Sequence, residues 1–202
     1  TNGVLCAMLN EAGWAISEDD CMRIFVGHTV RSKTALIEAE TRQPLTDAWM
    51  AEFYDRRNQR LRAELLPIDG AVPAVAALHG RYAGKMAVAS GADKPKVVMQ
   101  LEKVGLSPFF GEHVFSGHDL PRTKPWPDVY LAAAAAVQAD PARCLVIEDS
   151  VPGLTAGVRA GATVWGFCPK VGAHSTPQQL LEAGASQVFD NMADLPRLLG
   201  VV

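Results

Sequence analysis

The feature that most constrains this chain is a change of hydrophobic rhythm near residue 70. Beyond that point apolar residues gather in short runs, with candidate strands at 86–89, 113–115, 143–147, 163–167 and 187–189. Helical spacing fills the gaps, near 71–79, 94–104, 127–138, 152–160 and 176–183. Strands that each hand over to a helix need a long crossover, which parallel pairing requires and hairpins do not. The expected fold of residues 67–202 is therefore α/β: a parallel, Rossmann-like sheet with helices on both faces.

Residues 1–66 read as helices only. Val4, Leu5, Met8 and Leu9 mark one helix face, and Gly13 closes it. Ser17, with Asp20 three residues on, reads as the cap of a second helix running to about Val26, with Gly27 as the break. A third helix is expected from about Val30 to Glu40, ended before Pro44. Thr46 then caps a long one carrying Trp49, Phe53, Leu61 and Leu65. The stretch "LPIDGAVP" at 66–73 is the best boundary, making residues 1–66 a small all-α domain and 67–202 the core domain.

Composition excludes several classes. A net charge of -3 and the absence of a basic cluster argue against nucleic acid as a partner. No apolar run is long enough to span a bilayer, so no membrane partner is expected. The four cysteines, at 6, 21, 144 and 168, form no C-x-x-C pair and read as reduced thiols, as expected of a cytoplasmic location. Monomer and homodimer both remain open.

Three segments follow strands on one edge of the sheet. In "AVASGADK", Ser90 with Gly91 and Ala92 offers a hydroxyl and backbone N–H groups at a helix start, which suits a phosphate; a plain helix cap is the alternative. In "RTKPWPDVY", Lys124 precedes two prolines that stiffen its backbone, so its ammonium could neutralise a transferring phosphoryl group; a simple turn is the alternative. In "CLVIEDSVPGLTAG", Glu148 and Asp149 end a buried strand, and Ser150 can cap the next helix. Helix-dipole complementation accounts for one acid better than for two. Hard oxygen donors at a strand end suit Mg2+, which keeps water and borrows substrate oxygens.

"KPWPDVYL" together with "VIEDSVPGLTAG" resembles the haloacid dehalogenase superfamily, in the subgroup with a helical cap that includes β-phosphoglucomutase and phosphoglycolate phosphatase. The resemblance implies that residues 1–66 are the cap. It implies that Ser90 and the Gly91 amide bind the phosphoryl group, that Lys124 balances its charge, and that Asp149 holds magnesium with Glu148 beside it. His28, Thr29 and Arg31 near Gly27, with Arg57 and Asn58, would face the substrate. Ordinary solvent exposure is the alternative for those five.

The family opens on a strand ending in Asp-x-Asp-Gly, whose first Asp attacks phosphorus and whose second is the general acid and base. No such motif occurs here. That strand is central in the family's sheet, between the strands at 86–89 and 143–147, so the expectation is that the natural protein carries it upstream of Thr1. The reading is a magnesium-dependent phosphatase of a small phosphorylated metabolite, inactive without the missing aspartate. A sugar phosphomutase and a catalytically inactive phosphate-binding fragment are the alternatives.

Overall fold

A computed structural model describes residues 1–25 and 28–201. The expected end of the second helix at Val26 and the break at Gly27 lie outside the described residues. The chain divides into two compact units, Thr1–Leu65 and Leu66–Val202.

The first unit is helical: α1 (Asn2–Glu11), α2 (Glu18–Phe25), α3 (Thr34–Thr41) and α4 (Asp47–Glu64). Ser17 Oγ accepts from Asp20 N at 3.1 Å, and Thr46 Oγ1 from Trp49 N at 3.1 Å, so both expected caps form. The helix expected from about Val30 is instead two pieces. Val30–Lys33 is a 3-10 turn capped by Thr29, and α3 starts only at Thr34. Leu5, Leu9, Cys21, Phe25, Ile37, Met50 and Phe53 close the core of this unit.

The second unit alternates as expected: α5 (Ala71–Tyr82), β1 (Val88–Ser90), α6 (Lys94–Lys103), α7 (Ser107–Phe110), β2 (Val114–Ser116) and α8 (Asp128–Ala136). Then come β3 (Leu145–Glu148), α9 (Val151–Arg159), β4 (Thr163–Phe167), α10 (Pro177–Glu182), β5 (Gln187–Phe189) and α11 (Leu195–Leu198). All pairings are parallel. Among the described residues the strands form two ladders, β1–β2 and β3–β4–β5, with no hydrogen bonding between β1 and β3.

Two apolar clusters lie on the two faces. Val146, Leu154, Ala156, Val164 and Leu180 occupy one, and Leu78, Phe167, Phe189 and Leu195 the other. Val164 and Phe167 fall on opposite faces because side chains alternate along a strand. Helix α9 lies close on β3 and β4 because its inner face is small. A Cβ on Gly157 would come 2.8 Å from Val164 Cγ2. Gly161 follows the helix at φ +85°, a conformation that glycine adopts readily.

Three strands begin or end one or two residues later than their apolar runs suggest. Pro141–Arg143 is a 3-10 turn capped by Asp140, which takes two residues from the start of β3. The shift matters at the other end, because Ser90 and Glu148 become the last residues of their strands.

Candidate active site

The pleat decides where the two acids point. Along Leu145–Glu148, Val146 and Glu148 are buried on the face toward α9, and Asp149, one residue further, is exposed. Both oxygens of Glu148 are occupied. Oε1 accepts from Lys124 Nζ at 2.5 Å and from the Tyr130 hydroxyl at 2.5 Å. Oε2 accepts from Ser150 Oγ at 3.0 Å and from the Asp149 amide at 3.1 Å. Burial by itself would raise the Glu148 pKa, but the Lys124 charge and the hydrogen bonds outweigh it and hold the carboxyl below its usual range. The family resemblance implies that Glu148 stands beside Asp149 at the metal, yet both of its oxygens already accept hydrogen bonds within the protein. The strand alternation turns it onto the lysine.

Lys124 reaches across the two ladders. Its Nζ donates to the Ala89 carbonyl at 3.0 Å on β1 as well as to Glu148 at the end of β3. Its side chain is 14% exposed, and the ammonium sits 4.9 Å from the centroid of the Tyr130 ring. The ammonium is therefore anchored one residue before Ser90 on β1.

Ser90 is not the cap of α6. Asp93 is, accepting from Lys96 N at 3.1 Å. Ser90 Oγ accepts from the Ala92 amide at 3.1 Å, which leaves the hydroxyl hydrogen available to a ligand. Ala92 departs from its expected role as a phosphate donor: its amide is committed to Ser90, and its carbonyl accepts from Ser116 Oγ at 2.8 Å. The loop is held in shape through Ala92, and Gly91 is the exposed residue at its turn.

Asp149 makes no ion pair among the described residues. It is exposed as a residue, yet its carboxyl is pushed above the usual aspartate range, first by desolvation and then by the neighbouring charge of Glu148. His174 and Lys124 partly offset this. It opens onto a cleft of about 860 Å³ whose wall includes Lys170, His174 and Asp190 from the loops after β4 and β5. Among the described residues no group of three or more His, Cys, Asp or Glu side chains is placed to hold a metal. Of the two acids, Asp149 is the one whose carboxylate opens onto the cleft and could hold a magnesium ion, a cation that usually takes one or two carboxylates besides water and substrate oxygens.

In the helical unit His28, Thr29 and Arg31 are exposed; Thr29 caps the 3-10 turn, and Arg31 pairs with Asp47. Arg57 differs from the solvent exposure weighed for it. It is 5% exposed, stacked 4.8 Å from the Tyr54 ring centroid, with Nε and Nη2 both donating to Asn58 Oδ1.

Two residues of the site escaped the sequence reading. Tyr130 lies within the quoted "KPWPDVYL", and a hydroxyl-bearing aromatic in an alanine-rich helix was the available signal, since a buried phenol needs a partner. Ser116, 2% exposed, ties the end of β2 to the Ser90 loop and gave no local signal.

Ser90, Glu148 and Asp149 stand at the carboxyl ends of parallel strands, and Lys124 reaches them from the turn before α8, at the edge where open α/β sheets place ligands. The chain belongs to the haloacid dehalogenase-like hydrolase family, whose model matches residues 8–161. It is 27% identical over 192 residues to the 6-phosphogluconate phosphatase of Escherichia coli (strain K12), covering 95% of this chain and 83% of that protein. It shares 32% identity and a TM-score of 0.77 with the crystal structure of a conserved haloacid dehalogenase-like protein of unknown function from Agrobacterium tumefaciens, over 98% of this chain and 89% of that one. A family hydrolase from Deinococcus radiodurans R1, crystallised with bound phosphate and sodium, shares 27% identity and a TM-score of 0.76, over 100% and 89%.

Proposed function

We propose that the protein is a magnesium-dependent phosphatase acting on a small phosphorylated metabolite. The observation that carries this reading is the double anchorage of Lys124 on the Ala89 carbonyl and Glu148 Oε1, which fixes a partly buried ammonium on the backbone one residue before Ser90. A preorganised cation of this kind opposes the charge spread over phosphoryl oxygens in the transition state. Ser90 donates to one of those oxygens, and the Gly91 amide lies at the same turn.

Asp149 would hold the magnesium ion, and that ion would add positive charge to the phosphoryl group when bound. Glu148 serves the lysine and, through it, the phosphoryl site. The nucleophile belongs on a strand between β1 and β3. Among the described residues β1 and β3 each keep one edge without a partner strand, and the Lys124 ammonium bonds to the end of both. A carboxylate there attacks phosphorus, the ester oxygen leaves with a proton from a neighbouring acid, and water then cleaves the acyl phosphate. The bound phosphate of the Deinococcus relative supports a phosphoryl substrate, and the phosphogluconate named for the Escherichia coli relative favours a sugar-acid phosphate among them.

The test measures p-nitrophenyl phosphate and a panel of sugar, sugar-acid and nucleotide phosphates, with magnesium or with EDTA. It compares the chain as it stands with a version extended by its upstream reading frame. Turnover is expected only from the extended chain and only with magnesium. Activity in the shorter chain would overturn the location of the nucleophile, and activity in EDTA would overturn the role of the metal.

A further inference from the structure

The turn that carries Lys124 is gripped from outside by side chains that do not enter the site. Arg159, the last residue of α9, donates from Nη1 to the Pro125 carbonyl at 2.9 Å. Its guanidinium carbon lies 5.1 Å from the centroid of the Trp126 ring, and that of Arg122 lies 4.5 Å from the same ring. Arg122 is itself fixed by Asp128, 3.0 Å from Nη2. Trp126 is 46% exposed, so the indole lies against two cations at the surface rather than sunk into a core.

An arginine in the last turn of a helix ordinarily complements the helix dipole by lying near that helix's own carbonyls. Arg159 does something else. It leaves its helix for a carbonyl 34 residues earlier in the chain, one residue after Lys124. The helix it belongs to opens directly after Glu148 and Asp149. One rigid element therefore holds both the backbone that carries the lysine and the strand end that receives its ammonium.

We propose that Arg159 is a positioning residue for Lys124, locking the 124–127 turn to α9 through the Pro125 carbonyl and the Trp126 ring. The lysine stem has four rotatable bonds, so its head stays on Ala89 and Glu148 only while its Cα is held at the right distance. The inference rests on Lys124 being the cation that faces the phosphoryl group.

Competitive acetylation of the lysines with acetic anhydride, read by mass spectrometry, tests the clamp on the chain as it stands. Lys103, exposed on α6, is the internal reference. Arg159→Ala should raise the labelling of Lys124 relative to Lys103 about fivefold, the effect of losing one hydrogen bond and one cation–π contact. Trp126→Ala should raise it similarly. Arg159→Lys should restore most of the protection, since it keeps a donor for Pro125 and a cation over the ring. An unchanged Lys124 ratio in both Arg159→Ala and Trp126→Ala overturns the proposal, as does a rise shared equally by Lys103. In the extended, active chain Arg159→Ala should lower kcat about fivefold with KM little changed. If no version hydrolyses phosphate esters, the proposed function fails while the labelling still decides the clamp.

Discussion

A Cβ on Gly153 would lie 2.0 Å from Cδ of Glu148, so the carboxylate rests directly on the first turn of α9. No side chain fits there unless the carboxylate moves, and moving it pulls Glu148 away from Lys124. Gly153→Ala is expected to cost about 1–3 kcal/mol, the range for forced overpacking. Urea unfolding measures that cost, and the acetylation rate of Lys124 should rise in the same variant. Unfolding unchanged from the parent would contradict the contact.

Tyr130 and Lys124 share one oxygen of Glu148. The phenol titrates far above its usual range, because burial and the adjacent Glu148 charge both oppose its ionisation, so it remains a donor throughout the working pH range. Tyr130→Phe removes a hydrogen bond to a charged acceptor and should destabilise the protein by about 1.5–3 kcal/mol. Lys124 remains to neutralise the carboxylate, so the variant should still fold. Thermal unfolding checks this.

The depressed Glu148 pKa gives a stability dependence of fixed sign. The group binds its proton more weakly when folded than when unfolded, so its contribution is complete above the ordinary glutamate value, about 4.3. It is lost as the pH falls from there through the depressed folded value. Asp149, whose folded pKa is raised, contributes with the opposite sign and is lost as pH rises. In EDTA and in an Asp149→Asn background, stability should fall with acid more steeply when Glu148 is present than in Glu148→Gln. Parallel pH profiles would contradict the assignment.

The cysteines should differ in reactivity. All four are free thiols. Cys21 is fully buried and its pKa is pushed up to about 11, first by desolvation and then by Cys6 and Glu18, so almost no thiolate is present near neutrality. Cys144 is also raised, by burial and by Asp140, but it is the one among the four that is part-exposed. Iodoacetamide under native conditions should therefore modify Cys144 first and leave Cys21 untouched until denaturant is added. Early alkylation of Cys21 would count against the helical core as described.

Much of this architecture was legible locally. The period of the apolar residues marked nine of the eleven α-helices described, missing the four-residue α7 and α11, and all five strands; Thr46, Ser17 and Ser150 capped the helices their positions suggested. These features depend on neighbours within a few residues, so spacing alone can report them. Strand ends were less legible. An apolar run says where a strand is buried, whereas the ladder with the next strand decides where it stops. Val88–Ser90 pairs with Val114–Ser116, which draws Ser90 into the sheet.

The sequence by itself determined which chemistry-bearing residues follow strands on one edge of the sheet: Ser90, Glu148 and Asp149 at strand ends, and Lys124 in the turn before α8. Only the tertiary structure divided their labour. Glu148 and Asp149 are adjacent in the chain, yet the pleat sends one inward and the other to the surface, and the packing of α9 on β3 decides which. Lys124 lies 24 residues from Glu148 and 35 from Ala89. No periodicity spans such gaps. They are closed by the crossover helices that fold the chain back on its sheet, and those contacts pair Glu148 with Lys124 while Asp149, its neighbour in sequence, is left facing the cleft.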